Sequence, residues 1–387
     1  MQPLADIHRC FRCGYCKFTA SSPSINCPPY LKYRFESYSS GGRLWLIRAW
    51  LSGELSWSQR LAEILYSCSL CRNCVEQCPF KFREELMDMV VAARREAIER
   101  GLAPSKVKEF LENLYKYGNP WGLAREKRGA WAEGVKRYEH GDEYLLHVGC
   151  VASYEECAQR MAKSLAKLLE AAKLPFGVLG ELEICDGNEA YMMGEEGLFE
   201  LLAENNIKMF RELGVEKVVA LSPHAYNAFK NLYPKLSGSI NVIHYTQLLD
   251  QLIAEGSLKP GRLEVKVTYH DPCFLGRHNG IYEEPRRVLE SIPGLKLVEM
   301  ERCREDALCC GGGGGNFYID LLGGGPNSPA RVRVREALAT GAEVIAVACP
   351  VCLIMLEDAL KAEELEGRLE VKDVSEILLE SLKAGAT

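Results

Sequence analysis

The sequence has 387 residues, 47% of them hydrophobic and 26% charged, and a formal net charge of −6. This length predicts two to three domains. The absence of any apolar run near the roughly 20 residues of a membrane-spanning helix argues against an integral membrane protein. The negative charge, with no lysine- or arginine-rich block, argues against nucleic acid as a partner.

The N-terminus has neither the charged start nor the apolar stretch of a signal peptide, which predicts a cytoplasmic protein. Any membrane association is then expected to come through a partner. The chain contains 17 cysteines, an odd and clustered set. Disulfide frameworks belong mainly to small secreted chains with even counts, whereas tight C-x-x-C runs in a longer chain indicate metal sites. Metal-binding cysteines rather than disulfides are therefore expected.

Two cysteine runs lie near the N-terminus. The second ends in Cys78-Pro79 and matches the bacterial ferredoxin pattern C-x2-C-x2-C-x3-C-P. The first departs from that pattern, because ten residues rather than three separate Cys16 from Cys27. A loop insertion costs little closure entropy, so the ligand set can survive it. Two [4Fe–4S] clusters are expected.

In two-cluster ferredoxins the fourth cysteine of each run serves the other cluster. The ligands predicted for the first cluster are Cys10, Cys13, Cys16 and Cys78. Those predicted for the second are Cys68, Cys71, Cys74 and Cys27. A four-cysteine zinc ribbon is the alternative, but it uses two cysteine pairs rather than recurring triplets.

Between the runs, apolar spacing predicts a helical stretch from about Arg43 to Tyr66. Its three tryptophans, Trp45, Trp50 and Trp57, either pack between the cluster loops or form a docking face for a partner. From about residue 82 to 140 the pattern is that of polar connecting helices.

From about Tyr144 short strands alternate with helices, which predicts an α/β layer. The pattern also repeats at an offset of roughly 125 residues, which indicates duplicated units. Residues 144–150 resemble 267–273, residues 184–187 resemble 308–311, and residues 218–225 resemble 344–352.

The second copy holds a dense set of thiolates at predicted strand ends, where α/β sheets place ligand sites. Its members are Cys273, Cys309, Cys310, Cys349 and Cys352. Five converging thiolates exceed the needs of one tetrahedral zinc and indicate a multi-iron centre. The glycines after Cys310, above all Gly311 and Gly312, are expected to allow close backbone approach and to offer N–H donors. Cys303 is a sixth candidate ligand or a plain thiol.

The first copy has lost ligands. Cys150 and Cys185 remain, but Asp186, Ser222 and Ala225 stand at the other equivalent positions. No complete cluster is predicted there. Two roles remain open: a structural lid over the second copy's site, or a substrate pocket lined by Asp186, Ser222 and His224. Cys157 is expected to be a packing residue.

The arrangement Cys273…Cys309-Cys310-Gly311…Cys349-Pro350-Val351-Cys352 resembles the cysteine-rich CCG domain of heterodisulfide reductases. Two ferredoxin runs before two CCG copies resemble the catalytic, CCG-containing subunit of that enzyme. They also resemble the iron–sulfur subunits of glycolate and lactate oxidases, of anaerobic glycerol-3-phosphate dehydrogenase and of ETF:quinone oxidoreductases.

The resemblance implies an α+β fold. A mainly helical dicluster ferredoxin domain (1–95) and a helical connector (96–140) would precede a degenerate (141–260) and an intact (261–387) pseudo-repeated α/β CCG domain. It also implies that the five cysteines of the intact copy are both catalytic residues and ligands of a non-cubane CCG-type cluster.

The function implied is that of an oxidoreductase subunit that relays electrons between a flavoprotein and a disulfide or quinone acceptor. The partners implied are an FAD oxidase or ETF, or a cytochrome b-type membrane subunit. The alternative is a heterodisulfide reductase-like catalytic subunit that reduces a disulfide at the C-terminal cluster. A single intact five-cysteine set argues against that alternative.

Overall fold

The computed structural model describes residues 6–19, 21–236 and 238–384. The N-terminal region is helical. Its helices are α1 (Pro28–Tyr33), α2 (Ser40–Leu51), α3 (Gln59–Tyr66), α4 (Asn73–Gln77) and α5 (Leu86–Glu99). The predicted single helical stretch from Arg43 to Tyr66 is therefore wrong. The chain turns at residues 52–58, where Gly53 has a φ of +78°, and Ser58 caps α3 by accepting a hydrogen bond from the Leu61 N–H.

A first four-stranded sheet follows helix α6 (Ser105–Tyr117). Its strands are β1 (Tyr144–His147), β2 (Phe176–Val178), β3 (Val218–Ala220) and β4 (Val242–His244). They are parallel, in the order β2-β1-β3-β4. The helices of this unit are α7 (Gly149–Tyr154), α8 (Glu156–Ala171), α9 (Asn188–Met193), α10 (Glu196–Leu213), α11 (Pro223–Asn227) and α12 (Tyr245–Ala254).

A second four-stranded sheet has the same layout. Its strands are β5 (Lys266–Tyr269), β6 (Lys296–Leu297), β7 (Val344–Val347) and β8 (Glu370–Asp373), parallel and in the order β6-β5-β7-β8. The helices are α13 (Gly276–Asn279), α14 (Glu283–Glu290), α15 (Asn316–Ile319), α16 (Pro329–Ala339), α17 (Pro350–Ala362) and α18 (Val374–Ala384). The central strands are short, apolar and buried, as parallel sheets covered by helices require. The expected mixture of helices and parallel sheet is confirmed.

The two sheet units pack against each other through their helices. Helix α8 contacts α17 and α18, and α12 contacts α14. One hydrophobic core runs through both sheets. A second, smaller core surrounds the N-terminal cysteine loops and also contains Cys273, Phe274 and Cys309. The ferredoxin-type loops therefore share an apolar interior with Cys273 and Cys309, two members of the five-cysteine set.

No helix in the part of the chain that the structure describes is long and apolar enough to span a bilayer.

Candidate iron–sulfur sites

The four cysteines predicted to hold the first cluster lie around one small, largely apolar cavity. Cys78 comes from the second run, yet it lines this cavity beside Cys10, Cys13 and Cys16. Phe11, Phe80 and Phe82 form part of the wall. Of the four cysteines, only Cys13 is exposed. Cys78 therefore lies next to the triplet of the first run, although it belongs to the second run.

The second predicted set is more deeply enclosed. Cys27, Cys71 and Cys74 are buried. Burial, and then the nearby thiolates of Cys71 and Cys68, raise the pKa of Cys27 to about 11, although the Arg43 guanidinium opposes this rise. Cys74 likewise lies beside Cys68 and Cys71. Cys27 is therefore next to the triplet of the other run.

Both triplet loops use the same backbone conformation. Arg12 and Leu70, each before the middle cysteine, have φ values of +57° and +49°. Gly14 and Arg72, each after it, have φ values of +88° and +62°. Left-handed conformations are costly for residues other than glycine and are held where the surroundings require them. The left-handed turns around each middle cysteine give the two triplets the same backbone path.

The five cysteines of the C-terminal set converge on a second buried location. Cys273 follows β5 and Cys349 follows β7, so the sheet places both at one edge. The Sγ atoms of Cys309 and Cys273 are 3.7 Å apart, and those of Cys310 and Cys352 are 3.5 Å apart. The neighbouring residues Cys309 and Cys310 thus connect the two pairs.

One thiol of this set is clearly acidic. Burial would raise the pKa of Cys349, but hydrogen bonds from Cys352 and His224 lower it to about 5. A thiolate is the form that binds metal. The site therefore supplies at least one ligand in its metal-binding state at neutral pH.

The glycine run behind Cys310 has two functions. The Gly311 N–H donates to the Cys309 Sγ at 3.3 Å, as expected of a donor to the site. The close approach, however, is to protein backbone. A Cβ on Gly313 or Gly314 would lie 2.7 or 2.8 Å from the carbonyl oxygens of Ser69 and Cys68 respectively. The run therefore lets the second sheet unit dock onto the second ferredoxin-type loop.

This docking brings the two sites into direct contact. The Cys71 thiol lies beside that of Cys309, which raises its pKa. The Arg277 Nε donates to the Cys71 carbonyl at 2.6 Å, and the His278 ring lies 2.8 Å from the Leu70 carbonyl.

Several buried cations around the thiolates were not found by sequence reasoning. Arg43, Arg94 and Arg277 are all almost wholly inaccessible. Arg94 donates to the carbonyls of Leu65, Tyr66 and Cys68 and so fixes the start of the second loop. Buried cations are costly unless anions compensate them, so their presence fits clusters held by thiolates.

His270 supplies the clearest test of fit for the C-terminal site. Its Nδ1 accepts a hydrogen bond from the Arg333 Nε at 3.1 Å, whereas its buried Nε2 has no protein partner. A ring nitrogen of His270 and the Sγ atoms of Cys310 and Cys352 lie within 4.8 Å of one another. An unpaired buried donor facing thiolates fits an anionic centre at this place. The shared position of His147 and His270, three residues before Cys150 and Cys273, was a sequence pattern that could have revealed it.

The first copy contains a cavity of about 40 Å³. Asp186, Ser222 and His224, the residues of the pocket interpretation, line it together with Cys150 and Cys185. Ala225 is buried in the core and is not among the lining residues. Glu189, which the sequence did not single out, lies 2.6 Å from the His224 Nδ1.

The remaining cysteines lie apart. Cys157, on α8, and Cys303 are half-buried and do not join either cluster location. All 17 cysteines have free thiols in the structure.

Comparison with known proteins identifies the domains. Residues 6–82 match the family model of the 4Fe-4S dicluster domain, and residues 144–230 and 267–357 each match that of the cysteine-rich CCG domain. One subunit of the dihydromethanophenazine:CoB–CoM heterodisulfide reductase of Methanosarcina acetivorans is 30% identical over 401 residues, covering 98% of this chain and 95% of that protein. The chain belongs to the CCG-domain iron–sulfur oxidoreductases related to heterodisulfide reductase. Its cofactors are accordingly iron–sulfur clusters, including the [4Fe–4S] clusters of the dicluster domain.

Two longer relatives share this CCG-domain layout. The EtfAB:quinone oxidoreductase of Syntrophomonas wolfei is 34% identical over 98% of the chain, and the Bacillus subtilis protein named "Probable iron-sulfur-binding oxidoreductase FadF" is 39% identical over 83%. The chain spans 59% and 47% of their lengths. A hypothetical protein from Helicobacter pylori has the same fold, with a TM-score of 0.56 at 11% identity over 97% of this chain and 72% of that one.

Proposed function

We propose that this chain is the electron-relay subunit of an oxidoreductase complex, which carries electrons between a flavoprotein and a disulfide or quinone acceptor. The observation that carries the proposal is the direct contact between the second ferredoxin-type loop and the five-cysteine site, made by Arg277 and Cys71. When bound, iron–sulfur clusters supply one-electron redox chemistry. The protein holds the sites adjacent, excludes water from the inner two and sets their electrostatic surroundings.

The proposal includes the swapped ligand sets. Cys78 would complete the first triplet and Cys27 the second, while the five C-terminal cysteines would hold the CCG-type cluster. We further propose that the dicluster domain covers residues 1–95, the connector 96–140, and the two CCG domains 141–260 and 261–387. The identical strand order of the two sheets supports an origin of the CCG domains by duplication.

The partners are proposed from the relatives' names. The Syntrophomonas wolfei relative is named for EtfAB and quinone, which favours an ETF-type flavoprotein as donor. An FAD oxidase or a cytochrome b-type membrane subunit would suit the same relay. We place the protein in the cytoplasm, with any membrane association through such a partner.

Anaerobic reconstitution, iron counting and EPR spectroscopy test this function. We expect two cubane signals and a third, distinct centre. Cys310→Ala should remove the third centre and leave both cubanes, whereas the matched control Cys303→Ala should leave all three. Fewer than two cubane signals in the wild type would contradict the relay.

The catalytic alternative is not favoured, since the first CCG copy lacks three of the five cysteines. That alternative predicts that the isolated protein reduces a disulfide when it is given an artificial electron donor.

A further inference from the structure

The relay leaves one pair of thiols without a role. Cys150 and Cys185 are 6% and 8% exposed and line the same cavity of the first copy. Each thiol shifts the pKa of the other, down for Cys150 and up for Cys185, so the two lie close together. They correspond to Cys273 and Cys309 of the second copy, whose Sγ atoms are 3.7 Å apart. The first copy has thus kept the ligand pair that lies side by side and lost the other three thiols.

A buried cation faces this pair. The Arg128 Nη1 is 3.4 Å from the Cys150 Sγ, and the Arg128 Nη2 donates to Glu183 at 3.0 Å. Glu183 in turn accepts hydrogen bonds from the backbone N–H groups of Val148 and Gly149, each at 3.0 Å. An arginine held beside a thiol favours the thiolate, which is the reactive form of cysteine. The environment is therefore that of a reactive thiol rather than of an inert packing residue.

The cavity adjoins the intact site. Its lining includes Pro350 and Val351, the two residues between Cys349 and Cys352. It also includes His224, whose pKa is raised by the neighbouring Cys349. The pair therefore lies in a cavity that borders the C-terminal site.

The cavity also lies next to a wider groove. This groove, of about 460 Å³, includes Trp121 and Phe317 and shares Phe110, Pro120 and Tyr318 with the cavity wall. The cavity and the groove therefore share part of one wall.

We propose that Cys150 and Cys185 form a redox-active pair that cycles between a dithiol and an intramolecular disulfide. Oxidation forms the S–S bond and releases two electrons and two protons. Reduction breaks the bond and takes up two electrons and two protons. The electrons are those that the relay carries, so this inference rests on the proposed function. The dithiol holds two electrons, whereas each iron–sulfur cluster of the relay exchanges one electron at a time. Such a pair suits an acceptor that takes up two electrons.

The test maps thiols in the intact, cluster-loaded protein. Samples are poised anaerobically at a series of potentials and quenched in denaturant with N-ethylmaleimide, and the peptides containing Cys150 and Cys185 are analysed by mass spectrometry. Both should lose alkylation together as a linked disulfide peptide, with a tenfold change in the oxidised-to-reduced ratio per about 30 mV, as a two-electron couple requires. Cys157 should remain alkylated throughout.

Three variants sharpen the result. Cys150→Ser and Cys185→Ser should each abolish the linked peptide while keeping the wild-type iron count and cubane EPR signals. Cys157→Ser should keep the linked peptide.

Full alkylation of both thiols at every potential, with the cubanes present, would overturn the pair and leave the relay standing. Loss of bound iron or zinc in both serine variants would also overturn it, by making the pair a metal site. Missing cubane signals in the wild type would instead contradict the relay.

Discussion

Arg277 and Cys71 are joined by a 2.6 Å hydrogen bond from the guanidinium Nε to the main-chain carbonyl, across 206 positions of the sequence. The Nη1 of the same side chain donates to the Ala307 carbonyl, also at 2.6 Å. Arg277 is buried, and the thiols of Cys71, Cys273 and Cys309 surround it. One cation thus serves both the second ferredoxin-type loop and the five-cysteine site.

Arg277→Gln should lower the reduction potentials of the two adjacent centres. A reduced cluster is more negative than an oxidised one, so removal of a buried positive charge destabilises the reduced state. A decrease of about 60 mV, equivalent to a tenfold change for one electron, is expected. EPR-monitored redox titration measures it. Arg277→Lys retains the charge without the guanidinium's planar fork and should shift the potentials less. Equal potentials in Arg277→Gln and wild type would exclude this role.

His270 provides a separate test at the C-terminal site alone. Since its Nδ1 accepts from Arg333, the neutral ring carries its proton on Nε2. A ring nitrogen lies within 4.8 Å of the Sγ atoms of Cys310 and Cys352. Burial lowers the pKa of His270 to about 3, so the ring is a neutral donor at physiological pH. A hydrogen bond to a cluster or its thiolates raises the reduction potential.

His270→Phe should therefore lower the midpoint potential of the third centre by about 30–60 mV, a three- to tenfold change for one electron. The cubane potentials should remain unchanged, and the shift should be the same at pH 6 and pH 8. His270→Gln, which offers an amide donor, should restore part of the potential. A shift in the cubanes of equal size would indicate a general structural effect instead.

The local parts of these sites are visible in the sequence. The spacing of Cys68, Cys71 and Cys74 is the one that the geometry of one loop around one cluster imposes, so it appears in a short stretch of chain. Arg277 and Arg94 each also donate to a carbonyl more than 200 positions away, that of Cys71 and that of Gly314 respectively. Nothing in the local pattern distinguishes these arginines from surface ones.

The errors have similar physical causes. Apolar spacing was continuous enough to predict one helix where Gly53 and the Ser58 cap divide two. The glycine run indicated a close backbone approach to a cluster or substrate, whereas the approach at Gly313 and Gly314 is to protein backbone. Its partner, the second ferredoxin-type loop, could not be inferred because that contact forms only when the domains pack.

Gly314→Ala tests this packing. A Cβ there would lie 2.8 Å from the Cys68 carbonyl oxygen, so the substitution adds a backbone clash to the strain of a φ of +59°. We expect the free energy of unfolding to fall by about 2–4 kcal/mol. The matched control is Gly324→Ala, which has a φ of +67° and open space around its Cβ. It should cost only about 1 kcal/mol, from backbone strain. Equal thermal midpoints for the two variants would contradict the tight docking of this loop.

Asp373 should make stability depend on pH. Burial raises the pKa of this carboxyl to about 7, although hydrogen bonds from Ser375 and Tyr245 oppose the rise. The unfolded chain loses this proton near pH 4, whereas the folded chain keeps it until about pH 7. The folded state therefore binds more protons in this interval, and the contribution of Asp373 to stability falls as the pH rises through it. The upper bound is about 4 kcal/mol, at 1.36 kcal/mol per pH unit.

Asp373→Asn removes this titration. Its thermal midpoint relative to wild type should rise steadily from pH 5 to pH 7 and stay level above that. The exposed Asp88→Asn variant should show no such trend. A constant difference between Asp373→Asn and wild type across this range would mean that the carboxyl is already ionised in the folded protein at pH 5.

The exchange of fourth ligands between the two ferredoxin-type runs is the last prediction. Cys78 lines the cavity of the first triplet, and Cys27 lies beside Cys68 and Cys71. Cys78→Ala should therefore destabilise the cluster of the first triplet, although the residue belongs to the second run. Alkylation of the native protein should then label Cys10, Cys13 and Cys16, while Cys68, Cys71 and Cys74 stay protected.

Cys27→Ala should produce the reverse labelling pattern. It should also alter the EPR signal of the C-terminal centre, because the second triplet contacts that site through Cys71 and Cys309. Each variant should lose up to four irons relative to wild type, the content of one cubane. If Cys78→Ala exposed the second triplet instead, each run would ligate its own cluster. The insertion before Cys27 would then have changed the order of the ligands as well as lengthening a loop.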